Sequence, residues 1–178
     1  MARKQKHLLV DGWNVIHSDP AMKAVLVRDG QEGAKRLLSE RLAAIHDSLG
    51  LRLTIVYDGR GDEISVERVG RSLTFSEVYT PSSMSADELI EQFCAGSKDP
   101  DSLIVASRDN MIRLTVRGFR VESISSAQLL QWAAGAGKNV SRKGVELKLQ
   151  TDIQWQRSSD IAHLDEIIER QKGSKKRD

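Results

Sequence analysis

His7-Leu8-Leu9-Val10-Asp11-Gly12-Trp13-Asn14-Val15-Ile16 is the stretch whose reading decides the fold. Its apolar run, Leu8 to Val10, stops at a carboxylate. A glycine follows, and an asparagine stands three residues after the acid. The pattern predicts a short buried strand that delivers Asp11 to its carboxyl end, with Gly12 turning the chain so that Asn14 returns beside it. In open α/β sheets ligands bind outside the carboxyl ends of the strands, which makes Asp11 a site candidate. Asp is also a favoured N-cap, and Asp11 as the cap of the following helix is the competing reading.

Working outward, residues 17–29 read as a loop and a short helix. Ala34, Leu37, Leu38, Arg41, Leu42, Ile45 and Leu49 recur near the 3.6 period and predict a helix over 31–49, stopped by Gly50. Residues 51–57 are a second strand, and it too ends on an acid and a glycine, Asp58-Gly59. The polar stretch 60–72 reads as a flexible loop or weak hairpin, and 73–79 alternates as a third strand. Ser85 with Glu88 three residues on is a capping-box pattern, opening a helix that runs to about Gly96 with Asp87 in its first turn. Ser102-Leu103-Ile104-Val105-Ala106 is a continuous apolar strand of the kind a parallel sheet buries on both faces, and it delivers Ser107-Arg108-Asp109. A helix with Ile112, Leu114 and Val116, a fifth strand over 119–124 and a helix over 126–134 complete the series. The order predicts an α/β fold, a mainly parallel central sheet covered by helices. Gly135-Ala136-Gly137-Lys138 marks a boundary, dividing a domain over 1–137 from a basic C-terminal extension over 138–178. That extension contains a short amphipathic helix over 160–172 (Ile161, Leu164, Ile167, Ile168) and a basic tail read as disordered.

Composition narrows the function classes. With 39% hydrophobic and 29% charged residues the chain reads as an ordinary soluble protein. The net charge of +2 names no partner, but residues 138–178 hold ten Lys and Arg against seven Asp and Glu, a weak hint of a polyanion. The one cysteine, Cys94, excludes a disulfide framework and a thiolate zinc site. His7, His17, His46 and His163 lack paired ligand spacing. No segment approaches a membrane span and the basic N-terminus lacks a signal peptide's apolar core, so the expected location is cytoplasmic.

Four acids stand at equivalent places: Asp11, Asp58 and Asp109 after strands, and Asp87 opening a helix on the same edge. In a parallel sheet all four face one crevice, where each would raise the others' pKa values. A divalent cation relieves such crowding, and Mg²⁺ or Mn²⁺ prefers oxygen ligands. Carboxylate-held metal at a sheet edge suggests phosphate chemistry. Asn14 then holds water or a phosphate oxygen through its amide, or caps the helix. Ser107 donates to a phosphate, fixes a carboxylate, or serves as an N-cap. Arg108 is a candidate phosphate clamp, and Trp13 a candidate stacking surface for a base. Arg60, Arg68, Arg71 and Arg113 are further cations that the fold would have to bring together.

Asp11-Gly12-Trp13-Asn14, Tyr57-Asp58, Ser85-Ala86-Asp87 and Ala106-Ser107-Arg108-Asp109, in that order, resemble the motifs of the NYN domain, specifically its YacP-like branch of PIN-type ribonucleases. The resemblance covers residues 7–134. It implies a three-layer α/β/α PIN-like domain and a Mg²⁺- or Mn²⁺-dependent endoribonuclease, with Asp11, Asp87 and Asp109 as the acidic, metal-holding core and Asn14 and Asp58 in support. It also implies RNA as substrate, mRNA on translating ribosomes in that branch, and hence the ribosome as a partner. The extension looks longer and more basic than a minimal member. The main alternative is an RNA- or ribosome-binding module of the same fold with weak turnover. A haloacid-type phosphatase would want an acid where Trp13 stands, and a dinucleotide-binding turn would want G-x-G-x-x-G after the first strand.

Overall fold

The computed structural model describes residues 5–139 and Ile167. The chain alternates strands and helices in this order: β1 (His7–Asp11), α1 (Gly12–Ser18), α2 (Pro20–Leu49), β2 (Arg52–Gly61), β3 (Ser65–Arg68), β4 (Phe75–Pro81), α3 (Ala86–Ala95), β5 (Leu103–Ala106), α4 (Asn110–Gly118), β6 (Glu122–Ile124) and α5 (Ser126–Asn139). The six strands form one sheet in the order β3-β4-β2-β1-β5-β6. All neighbours are parallel except β3, which pairs antiparallel with β4.

The apolar runs of the inner strands are continuous because both faces are covered. Side chains alternate along a strand. Leu8, Val10, Leu53, Ile55, Tyr57, Ile104 and Ala106 join a core with residues of α1, α2 and α5. Leu9, Val56, Leu103 and Val105 join a second core with residues of α3 and α4. The arrangement is the expected three-layer α/β/α sandwich.

Several boundaries differ from the sequence reading. Residues 17–29 are almost wholly helical: α1 begins at Gly12, and α2 begins at Pro20. Asp19 caps α2 by accepting from Met22 N at 2.8 Å, with Pro20 in the first turn. The Asp-Pro start signal lies there in the sequence, and α2 then passes through Gly30, which departs from helical geometry at φ 73°. β2 runs to Gly61, so Asp58 lies within a strand and not in a turn. The weak hairpin is β3 with β4. In α4 only Ile112 and Val116, four apart, face inward, while Leu114 is 60% exposed. β6 is three residues long, and Phe119 follows the end of α4. α5 continues through Gly135 and Gly137 to Asn139. The proposed helix 160–172 and the basic tail lie outside the described residues, except that Ile167 is helical and buried in the α3–α4 core.

Candidate active site

The carboxyl edge of the sheet gathers the acids, and strand alternation explains how. Asp11 is in register with Val56 of β2, and Val10 with Ala106 of β5. Residues 9, 56 and 105 face the α3–α4 layer. Two residues further along each strand stand Asp11, Asp58 and Ser107, which therefore turn to the same layer. α3 starts there and supplies Asp87.

Asp11 is 3% exposed. Its carboxylate caps α1 and is also held from outside the helix. Oδ1 accepts from Asn14 N at 3.2 Å, capping α1, and Oδ2 accepts from the Asn14 side-chain amide and from Ser107 Oγ at 3.4 Å. The cap reading of Asp11 is observed, and its second oxygen is left to Asn14 and Ser107. Asn14 turns its amide onto Asp11 and stands 3.5 Å from Ser107 Oγ. Ser107, fully buried, also accepts from Asp109 N at 3.0 Å. Of the expectations for Ser107, the one observed is that it fixes a carboxylate.

The Asp87 and Asp11 carboxyl groups stand within hydrogen-bonding reach of each other. The Asp87 carboxyl is pushed up to about 7, first by burial, then by the charge of Asp11 and the hydrogen bond to it, and further by Asp109 and Asp58. Burial likewise raises Asp11, against the lowering effect of the Asn14 hydrogen bonds. Asp109 is exposed and caps α4, accepting from Met111 N at 2.7 Å. Asp58 accepts from Ala86 N at 2.7 Å. The carboxylates that meet are therefore Asp11 and Asp87, with the other two close enough to be felt. Among the described residues no three His, Cys, Asp or Glu side chains are gathered closely enough to hold a metal ion.

Trp13 is half-buried on α1, its ring 5.4 Å from that of Tyr57 and 6.2 Å from that of His17. Arg108 is exposed beside Asp109. The other cations do not converge. Arg60 follows Asp58 at the acid edge, whereas Arg68 pairs with Ser76 toward the opposite end of β4, with Arg71 beyond it. Arg113 is turned to Asn110 within α4.

Sequence reasoning names Tyr57 in the Tyr57-Asp58 motif and gives it no role. It is fully buried beneath the turn after β1, and a Cβ on Gly12 would meet its ring at 2.2 Å. The glycine of the Asp-Gly pair is thus required by contact with Tyr57 and not by a turn, since Gly12 is the first residue of α1 and its φ is not in the left-handed region. The large aromatic at the last inward position of β2 was the available signal.

A model of the YacP-like NYN domain matches residues 8–172. Among solved structures the chain is similar to Rae1 (YacP) from Bacillus subtilis, at 21% identity and a TM-score of 0.63 over 97% of this chain and 96% of that one. A mutant of the same protein matches at 23% identity and a TM-score of 0.63, over 78% of this chain and 80% of that one. At these identities the structural likeness is one of fold. No curated protein matches the chain. The match to residue 172 and the coverage of the solved relative take in most of 138–178, so the extension is no departure in length.

Proposed function

This chain belongs to the YacP-like NYN domain family, a PIN-like nuclease fold, and on that premise we propose that it is a Mg²⁺- or Mn²⁺-dependent endoribonuclease. The observation that carries the reading is the Asp11–Asp87 pair. Two carboxyl groups stand within hydrogen-bonding reach of each other at the carboxyl edge of the sheet, with two more acids adding charge. Carboxyls that hold a proton near neutral pH for want of a countercharge have the donor chemistry that a hard divalent cation suits.

Asp11 and Asp87 would hold the cation, with Asp109 as the third ligand. When bound, the ion supplies acidity to water and offsets charge on the departing oxygen of a phosphodiester. The chain's own residues do the rest. Asn14 and Ser107 fix both oxygens of Asp11, so that its carboxylate meets the substrate already oriented. Ser107 also ties Asp109 to that carboxylate through the Asp109 amide. Arg108, exposed at the rim, takes a phosphate oxygen, and the open face of Trp13 takes a base of single-stranded RNA. The basic extension adds sequence-independent attraction for the backbone. The family resemblance extends the proposal to mRNA on the ribosome as substrate, in the cytoplasm. No helix among the described residues is long and apolar enough to cross a membrane.

A second reading, a binding module of the same fold with weak turnover, is favoured by one observation. Asp109 and Asp58 are turned to backbone amides, and among the described residues no third ligand stands with Asp11 and Asp87. The test is cleavage of a generic single-stranded RNA and of a message under translation, with Mg²⁺ or Mn²⁺ and with chelator. Chelator-sensitive cutting that Asp11→Asn and Asp87→Asn both abolish, in folded protein, supports the nuclease. Cutting confined to the translated message brings in the ribosome. RNA binding without cutting supports the second reading, and equal cutting by the variants removes the site assignment.

A further inference from the structure

Asp11 and Asp109 cap the helices that directly follow them, whereas Asp58 bonds an amide 28 residues away. Alternation along β2 turns Tyr57 into the α2 face and Asp58 toward α3. There its Oδ1 accepts a hydrogen bond from Ala86 N at 2.7 Å. Ala86 is the first residue of α3 and directly precedes Asp87.

The neighbouring backbone is built to allow that reach. A Cβ on Gly59 would lie 2.2 Å from the carbonyl oxygen of Thr80, so only glycine lets β2 come this close to the end of β4. Gly59 N donates to Thr80 Oγ1 at 3.3 Å, and Ser82 N donates to the carbonyl of Gly61 at 2.8 Å. These bonds hold the connection from β4 to α3 against the end of β2. The next residues close their own turn: Glu88 N donates to Ser85 Oγ at 3.1 Å, and Ser85 N donates to Glu88 Oε2 at 2.9 Å. That capping box orients the turn on itself, while the Asp58 bond ties the turn to the sheet that carries Asp11.

We infer that Asp58 is a positioning residue: its acceptor oxygen, bonded to the Ala86 amide, sets Asp87 opposite Asp11, and its negative charge is dispensable. The inference rests on the nuclease reading of the Asp11–Asp87 pair. It separates Asp58 from the groups that hold a cation, because an amide side chain can do the same work. Asn at 58 keeps an oxygen acceptor where Asp58 Oδ1 stands; Ala removes it.

The test uses the full chain as wild type, Asp58→Asn and Asp58→Ala. Amide exchange at Ala86 is followed by NMR, and kcat and KM are measured on single-stranded RNA with Mn²⁺ or Mg²⁺. In Asp58→Ala the Ala86 amide exchanges roughly tenfold faster or more, the size of one hydrogen bond to a charged group. Its kcat falls by a similar roughly tenfold factor, with KM within about twofold. Asp58→Asn keeps the amide protected and kcat within about threefold of wild type. If Asp58→Asn is as slow as Asp58→Ala while its Ala86 amide stays protected, the charge is what matters and the inference is overturned. Unchanged Ala86 exchange in Asp58→Ala overturns it equally. If the wild type cuts no RNA, the nuclease reading falls, and the exchange measurement alone decides whether Asp58 fastens α3 to the sheet.

Discussion

The two ends of the sheet handle charge in opposite ways. At the amino end, charges nearer the surface meet complementary partners, while buried His7 lies beside the cation Arg52. Lys6 pairs with Glu122 at 3.4 Å, Arg120 with Asp101 at 3.2 Å, and His46 bridges Asp47 at 3.0 Å and Thr74 at 2.6 Å. At the carboxyl end, acids face acids, and Asp87 holds its proton up to about 7 because burial and the charge of Asp11 oppose its ionisation. A fold able to pair its charges at one end has no need to crowd carboxylates at the other. The crowding costs stability and so points to function.

The largest expected effect comes from removing a member of the crowded end. Asp11→Asn and Asp87→Asn are expected to lower RNA cleavage by roughly 10²–10³-fold, the scale of losing a group that acts on the transition state. Circular dichroism should show the fold intact. His46→Ala, at the other end, should leave cleavage within about twofold while lowering stability by about 1 kcal/mol through its lost hydrogen bonds. An inactive His46 variant that remains folded would break the division between the two ends.

Gly12→Ala sharpens the comparison by disturbing the acid end through packing alone. The added methyl meets the buried Tyr57 ring, which cannot swing aside. The expected cost is about 2–3 kcal/mol, the range for overpacking a filled core. Cleavage should fall as well, since the turn carrying Asp11 and Asn14 must shift. Urea unfolding and the cleavage rate measure the two effects. Pairing Gly12→Ala with Tyr57→Leu should recover part of both, because the clash is with the ring.

The pH dependence of stability follows from the same crowding. Asp87 binds its proton more tightly folded than unfolded, with a folded value of about 7 against an ordinary 3.8. Below about pH 4 both states are protonated and nothing is lost. As pH rises from about 4 to about 7 the unfolded chain releases a proton that the folded one keeps, so stability falls across that window and levels above it. Asp11, raised in the same direction, adds to the decline. Because Asp87 is partly open to solvent, the loss is discounted to about 1 kcal/mol. Asp87→Asn should therefore unfold at higher urea than wild type at pH 8 and at nearly the same urea at pH 4. A wild type that gains stability between pH 5 and 8 would contradict the crowding.

What could be read from residues alone follows these two ends. The acid end was legible because its chemistry is local: Asp11-Gly12, Asp58-Gly59, Ser85-Ala86-Asp87 and Ser107-Arg108-Asp109 each sit where an apolar strand stops or a helix starts. The parallel sheet followed from runs of Leu, Ile and Val too continuous to have a wet face. The structure added relations between strands. That Asp58 turns to Ala86, that Gly12 rests on Tyr57, and that Arg68 lies toward the other end of β4 from the acids depend on register, which single stretches do not carry. The start of α2 was missed for a different reason. Pro20 interrupted the apolar period, although Asp19 before it makes Pro a favourable first residue. Leu114, named with Ile112 and Val116 as apolar in that helix, is exposed because the helix buries every fourth residue.

The smallest effect tests whether the amino end is free of strain. Arg120 has φ 66° and is the one non-glycine residue of the described chain in the left-handed region. It links α4 to β6, and its backbone N donates to the Arg117 carbonyl at 2.9 Å. Its ion pair with Asp101 is exposed on both sides, 74% and 69%, and such pairs contribute about 0–1 kcal/mol. The left-handed conformation costs a non-glycine residue roughly 1 kcal/mol. Arg120→Gly relieves the second and forfeits the first, so its net effect is expected within about 0.5 kcal/mol of zero. Arg120→Ala keeps the strain and loses the pair, so it should be the less stable of the two by roughly 1 kcal/mol. The ordering of their urea midpoints reads out that difference. If Gly is the less stable, the left-handed conformation costs less here than the extra freedom glycine gives the unfolded chain, and the amino end carries no backbone strain at Arg120.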